Sequence, residues 1–235
     1  MSIRRTLVLT MLAVGLIAVA PGVADRVARA ERSLQRAQDK ADDGDTAGAA
    51  SALSSVRKNL ASALKSAKKR VVAGNDTGPD AIGAVTGAQH DVIVGTAGLF
   101  DGQTDGSLVQ SIADTLKAAL DGRDEAIAAI AALPAADQSN YEYVLEQIDS
   151  DIADDIDAVD SALSDDTLTP EATAALNDAK AQLTASQTSV QALSASTSAA
   201  STSDSSDTAG SNGNGRNCPH DGNDSNTSAS SRSRT

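Results

Sequence analysis

The sequence predicts an all-α fold: an antiparallel helical bundle of five to six helices, opened by an N-terminal αα-hairpin and followed by a disordered tail. Three observations carry that expectation. Apolar residues recur at alternating steps of three and four, the spacing of one helix face. The aromatic inventory is only Phe100, Tyr141 and Tyr143 in an alanine-rich chain, which suits close-packed helices and not a β-sandwich. Cys218 is the one cysteine, so no intramolecular disulfide forms and stability rests on packing.

Residues 1–24 have the layout of a secretory signal peptide. Arg4 and Arg5 precede an apolar run from Leu7 to Ala20, and Gly22-Val23-Ala24 offers small residues before Asp25. The run is shorter than the ~20 residues that a spanning helix needs. Pro21 and Gly22 are expected to break it and leave extended chain for a peptidase. The alternative is an uncleaved anchor. Either way the location expected is secreted or extracytoplasmic, with no stable membrane span after cleavage.

The expected bundle occupies residues 25–195. Val27, Ala30, Leu34, Ala37 and Ala41 mark its first helix, which Asp42-Asp43-Gly44-Asp45 stops. Leu53, Val56, Leu60, Ala63, Ala67 and Val71 mark the second, with Lys65, Lys68, Lys69 and Arg70 toward its end, where cations offset the helix dipole. The third, Asp80 to Phe100, carries Gly83, Gly87, Gly95 and Gly98. Four glycines disfavour helix by roughly 3–4 kcal/mol relative to alanine. Either they admit a close neighbour, or Val92-Ile93-Val94 is locally extended; helix is the favoured reading.

A turn from Asp101 to Gly106 leads to a fourth helix through Val109, Ile112, Leu116, Ala119, Arg123, Ile127 and Ile130, with Gly122 as its candidate kink. The fifth carries Tyr141, Leu145, Ile148, Ile152, Ile156, Val159 and Leu163. Thr169-Pro170-Glu171 opens the sixth, with Thr as N-cap and Pro at the first helical position. Residues 196–235 turn to Ser, Thr, Asn, Gly and Asp, a composition expected to stay disordered because it buries too little apolar surface. Asn75, Asn223 and Asn226 stand in N-x-S/T patterns.

Charge divides the chain. Residues 25–72, the basic αα-hairpin, hold 11 basic and 6 acidic groups; residues 73–195, the acidic helical body, hold 3 basic and 22 acidic, a net of −19. Such a body repels nucleic acid and anionic lipid. The counter-surface expected for the hairpin is the acidic body of its own chain.

Chemistry-bearing constellations are few. The aspartates at 149, 151, 154, 155, 157 and 160 are expected to spread over the solvated face opposite Ile148-Ile152-Ile156. Asp101-Gly102-Gln103-Thr104-Asp105-Gly106 starts like an EF-hand loop, but the twelfth position is Ile112 where a bidentate Glu is required. His90-Asp91 is the one His–carboxylate pair in the folded part, too few ligands for a zinc site. Cys218-Pro219-His220 lies in the tail. Nucleophile elbows, phosphate loops and dinucleotide fingerprints are missing from the sequence. No catalytic, cofactor-binding or metal residue is therefore assigned, and no cofactor is expected.

Ala30-Glu31-Arg32-Ser33-Leu34, Asp45 to Ala50 with Val56-Arg57-Lys58-Asn59-Leu60, and Gln89-His90-Asp91-Val92-Ile93 with Leu99-Phe100-Asp101-Gly102 resemble stretches of uncharacterised exported helical proteins of actinobacterial, high-GC type. The resemblance implies a helical fold and an extracytoplasmic location and carries over no catalytic residue. The scarcity of Glu (5) beside Asp (27) also fits a salt-adapted host, where acidity serves solubility. The expected function is that of an exported non-catalytic helical protein acting through an unknown protein or envelope partner. The alternative is a divalent-cation-binding protein or unrecognised hydrolase using His90 with Asp91, Asp101 or Asp105.

Overall fold

The computed structural model describes residues 21–203, with side chains from 22 to 198. The expected signal segment up to residue 20, and the tail from 204 with Cys218, His220, Asn223 and Asn226, lie outside the described residues. Six long helices account for almost all of it: α1 (Pro21–Asp42), α2 (Thr46–Val72), α3 (Gly78–Leu99), α4 (Gly106–Ala131), α6 (Glu142–Leu163) and α7 (Pro170–Ser203). A four-residue helix α5 (Ala135–Gln138) and a 3-10 turn (Ser139–Tyr141) join α4 to α6. Among the described residues there is no strand, and no helix is long and apolar enough to cross a membrane. The all-α bundle is thus the fold.

Two stretches differ from expectation. Pro21–Ala24, expected to be extended chain, is part of α1, and Val23 is fully buried there. At the other end α7 continues eight residues past 195 to Ser203, with Thr197 buried.

Local chemistry sets the connections. Gly44 (φ +75°) and Gly74 (φ +63°) take the left-handed conformation that ends α1 and α2. Across Gly44, the Asp45 amide donates to the Lys40 carbonyl at 2.8 Å; across Gly74, the Asn75 amide donates to the Arg70 carbonyl at 3.1 Å. Asp45 then caps α2 by accepting from the Gly48 amide, and Asp105 caps α4 by accepting from the Ser107 and Leu108 amides. The Ala172 amide donates to the Thr169 hydroxyl at the start of α7, the cap read from the sequence. The Asp101–Gly106 stretch is a turn and cap, as its failed EF-hand match implies.

The helices form three antiparallel hairpins, α1/α2, α3/α4 and α6/α7, set side by side. α1, α3 and α6 pack on one another as one row; α2, α4 and α7 form the facing row. Helix α3 sits in the middle, against α1, α2, α4 and α6. It buries more than half of its circumference, including Ile82, Val85, Gln89, Val92, Ile93 and Thr96, and leaves a stripe through Gly87, Asp91, Val94 and Gly98 exposed or partly exposed. Where it packs closely on its neighbours, small residues are needed. Gly95 meets that need: a Cβ there would lie 2.8 Å from Leu34 Cδ2 and 3.2 Å from Gln38 Nε2 of α1. The helical reading of this segment therefore holds, and so does close approach as its reason at Gly95. At Gly87 and Gly98 it does not, since a Cβ would meet nothing within 4 Å. α4 runs through Gly122 as unbroken helix.

The hairpin α1/α2 is held to the body chiefly by apolar contact, with Leu53, Val56, Leu60 and Leu64 of α2 in the common core. The ion pair Lys68–Glu125, at 2.9 Å, crosses from hairpin to body, and it is exposed. Arg57 reaches α4 through the neutral Thr115 hydroxyl (2.8 Å) and Ser111 carbonyl (3.1 Å). The expected electrostatic counter-surface is thus a minor contributor, because the acidic residues concentrate on α6, on the far side of α3 and α4 from the hairpin. An exposed pair of this kind contributes at most about 1 kcal/mol.

Glycine substitutions on α3 will separate propensity from packing. Gly87→Ala and Gly98→Ala should each raise stability by about 0.5–1 kcal/mol, since helix propensity improves and space is open. Gly95→Val should lower it by about 1–3 kcal/mol through overpacking against Leu34. Urea unfolding of the three variants measures all of these; a stabilised Gly95→Val would show that α1 does not sit this close.

Candidate functional site

The polar centre of the bundle is a chain of three side chains from three helices. Arg123 of α4 is buried at 1% exposure, and Asp155 of α6 at 0%. The Arg123 Nη1 donates to Asp155 Oδ2, and the other carboxylate oxygen, Oδ1, lies 2.8 Å from His90 Nδ1 of α3. His90 is partly open to solvent, so the chain runs from the core to the surface. A buried arginine needs an anion to offset its lost hydration, and Asp155 supplies it.

Periodicity explains how Asp155 arrives there. Ile148, Ile152, Asp155 and Val159 follow steps of four, three and four, so Asp155 occupies an inward position of α6. Asp151, one turn earlier, is also buried, and accepts a hydrogen bond from Gln147 Nε2 at 2.7 Å. Two members of the aspartate group therefore point inward, contrary to the solvated face expected for all six. Ile156, expected on the core stripe, is only partly buried and packs at its margin. Asp154, Asp157 and Asp160 remain outward or at the margin, and Asp160 pairs with Lys180 at 2.7 Å.

The carboxyls around His90 feel the crowding. Burial pushes Asp151 up from the ordinary carboxyl range. Asp91 and Glu31 are open in outline, yet desolvation raises both, and for Glu31 the neighbouring Asp91 adds to it. His90 is raised by its hydrogen bond to Asp155, against the opposing effect of burial. Two polar atoms near this layer are sealed without a partner: Gln89 Oε1 and Arg123 Nη2.

Asp101 and Asp105 do not join His90. They follow the C-terminal end of α3, roughly 13 Å along the axis from His90 at 1.5 Å per residue. Asp91 neighbours His90 without a direct hydrogen bond between them, and the imidazole turns to Asp155 instead. Among the described residues, no three His, Cys, Asp or Glu side chains converge as a metal-ligand group. Asn75 is exposed in the α2–α3 turn.

Arg123 and Asp155 escaped the sequence reading as a pair, although one signal existed. Arg123 stands on the apolar stripe of α4 as one of only three cations in residues 73–195. A lone cation on such a stripe demands a buried anion, and Asp155 is the inward aspartate of α6. Elsewhere α4 is tied to α7 by Asp124, which accepts from Gln182 Nε2 (2.7 Å) and the Ser186 hydroxyl. α3 is tied to α6 by the Tyr143 hydroxyl donating to Asp80 at 2.8 Å.

Removing one charge of the buried pair should cost more than removing both. Asp155→Ala strands Arg123 and is expected to lose about 3–5 kcal/mol; the double variant Arg123→Met/Asp155→Leu should lose less than that single one. Denaturant melts of the variants decide it, and an additive double mutant would mean that the charges are independent.

A second expectation concerns pH. For His90, Asp91, Asp151 and Glu31 the folded pKa is raised, so each binds its proton more tightly folded than unfolded. Their stabilisation is complete below the unfolded values and is lost as pH rises through the folded ones. Stability should fall first above the carboxyl range, near pH 4, and again above the ordinary imidazole value, near 6.5. His90→Gln should remove the second decline. Thermal melts from about pH 3 to 9 test this; an unchanged upper decline in His90→Gln would assign it to another group.

Comparison with protein-family models, with curated proteins and with solved structures gave no match for this chain.

Proposed function

We propose that this chain is an exported, non-catalytic helical protein that acts through contacts with a protein or envelope partner outside the cytoplasm. The observation that carries the reading is the use of its buried polar groups. His90, Asp155 and Arg123 are spent on one another, joining α3, α4 and α6 where an enzyme would direct such groups at a substrate. The other interhelical polar ties, Asp124 with Gln182 and Asp80 with Tyr143, likewise join helix to helix.

Export is supported by the Arg4-Arg5, Leu7–Ala20 and Gly22-Val23-Ala24 succession. The fold adds a constraint on its timing. The bond after Ala24 lies within α1, next to buried Val23. Peptidases cleave exposed, extended chain, so cleavage after Ala24 precedes folding of the bundle. That order agrees with passage as an unfolded chain by the ordinary secretory route, not with export of a folded twin-arginine cargo.

Expression of the full chain in a secretion-competent bacterial host, followed by fractionation and N-terminal sequencing, tests the proposal. The expected product lies outside the cytoplasm and begins at Asp25. A soluble cytoplasmic product that retains Met1 would sink export, and a membrane-bound one that retains Met1 would establish the anchor instead.

A further inference from the structure

The geometry points to a binding site for a single-chain fatty carboxylate in the furrow between α2 and α4. This inference does not depend on export. The furrow has a volume of about 780 Å³, and it exists because small residues face one another across it. Ala61 lines it from α2, Ala118 and Gly122 from α4, and Leu60 and Leu64 give it an apolar wall.

Gln89 of α3 forms the floor where Gly122 lacks a side chain: its Nε2 lies 2.5 Å from where a Cβ of residue 122 would stand. No hydrogen bond satisfies this amide; its oxygen is sealed, and its nitrogen lies at the opening that the glycine leaves. A free N–H donor at the base of an apolar furrow favours an acceptor.

The rim supplies the matching charge. Arg57, Lys65, Lys68 and Lys69 stand against two carboxylates, Asp121 and Glu125. Both carboxylates are engaged, Asp121 by Lys117 and Gln182, Glu125 by Lys68. Lys65 and Lys69 have no ion pair or hydrogen bond among the described residues, and they stand one turn apart on α2.

The register of the two helices puts these elements together. Arg57 contacts Thr115 and Lys68 contacts Glu125, so α2 and α4 run parallel with an offset that brings Gly122 level with Lys65. The amide of Gln89 therefore opens beneath the Lys65–Lys69 rim. A carboxylate placed there meets the amide N–H and two ammonium groups, while its hydrocarbon chain covers Leu60, Ala61, Leu64 and Ala118. A cationic or neutral chain of equal length gains only the apolar part, and the charge pattern selects against it.

Titration of the isotope-labelled full-length chain with sodium decanoate, below its micelle concentration and followed by amide NMR shifts, tests the site. Saturable shifts confined to the neighbourhood of Leu64, Gln89 and Gly122 are expected. Decanol and decyltrimethylammonium should bind roughly tenfold more weakly. Ala61→Trp, at an exposed position, should block the furrow and abolish the shifts while circular dichroism stays unchanged. Lys65→Glu/Lys69→Glu should erase the preference for the carboxylate. Shifts scattered over the bundle, equal binding of the three probes, or undiminished binding by Ala61→Trp would each overturn the assignment. So would the same shifts appearing without ligand as protein concentration rises, which would make the furrow a contact between copies of this chain.

Discussion

The constraint on which this structure depends is the packing of α3 against four other helices. Polar side chains on its packed faces are out of reach of water, so they must be answered from within. Thr86 and Thr96 do this on their own helix, their hydroxyls donating to the carbonyls of Ile82 and Val92. His90, partly open to solvent at the margin of that packing, pairs with Asp155, which also pairs with Arg123. The polar chain across three helices is thus a consequence of where α3 lies. The same crowding requires thinness, which Gly95 provides against Leu34 of α1.

Much of the fold was legible because its signals are local. Stripes at helical spacing, the Asp45 and Thr169 caps and the glycines at 44 and 74 each act within a few residues, and each predicted boundary falls near the observed one. The helical state of Pro21–Ala24 and of residues 196–203 was harder to read. Proline and glycine at 21 and 22 disfavour a helix interior on propensity alone, and the small residues at 196–203 carry little periodicity to show that the helix continues.

The polar centre was legible only in part, because it is a property of pairs across the fold. His90 was visible as an isolated histidine with Asp91, Asp101 and Asp105 as its candidate partners, while Asp155, 65 residues away in sequence, reaches it only through the packing of α3 on α6. Asp151 and Asp155 were hidden in a run of aspartates whose abundance argues for a solvated face. Their inward positions follow from Ile148, Ile152 and Val159, and not from Ile156, which had been placed on the stripe. Overlapping stripes on one helix leave such residues undecided until packing chooses among them.

Charge and cohesion turn out to be separate matters in this molecule. The hairpin and the body differ greatly in charge, and simple Coulomb reasoning would press one against the other. Yet their junction is made of Leu53, Val56, Leu60 and Leu64, with the exposed Lys68–Glu125 pair beside them. Desolvating further ion pairs at that junction would cost more than exposed pairs return, whereas burial of a leucine contributes about 1.5–3 kcal/mol. The lysines of α2 are therefore left at the surface, where they are available to an anion, while the acidic face of α6 lies on the far side of the stack. A bundle held together in this way can present two oppositely charged edges without relying on either for its stability. That division suits a protein whose proposed work is done by its surfaces.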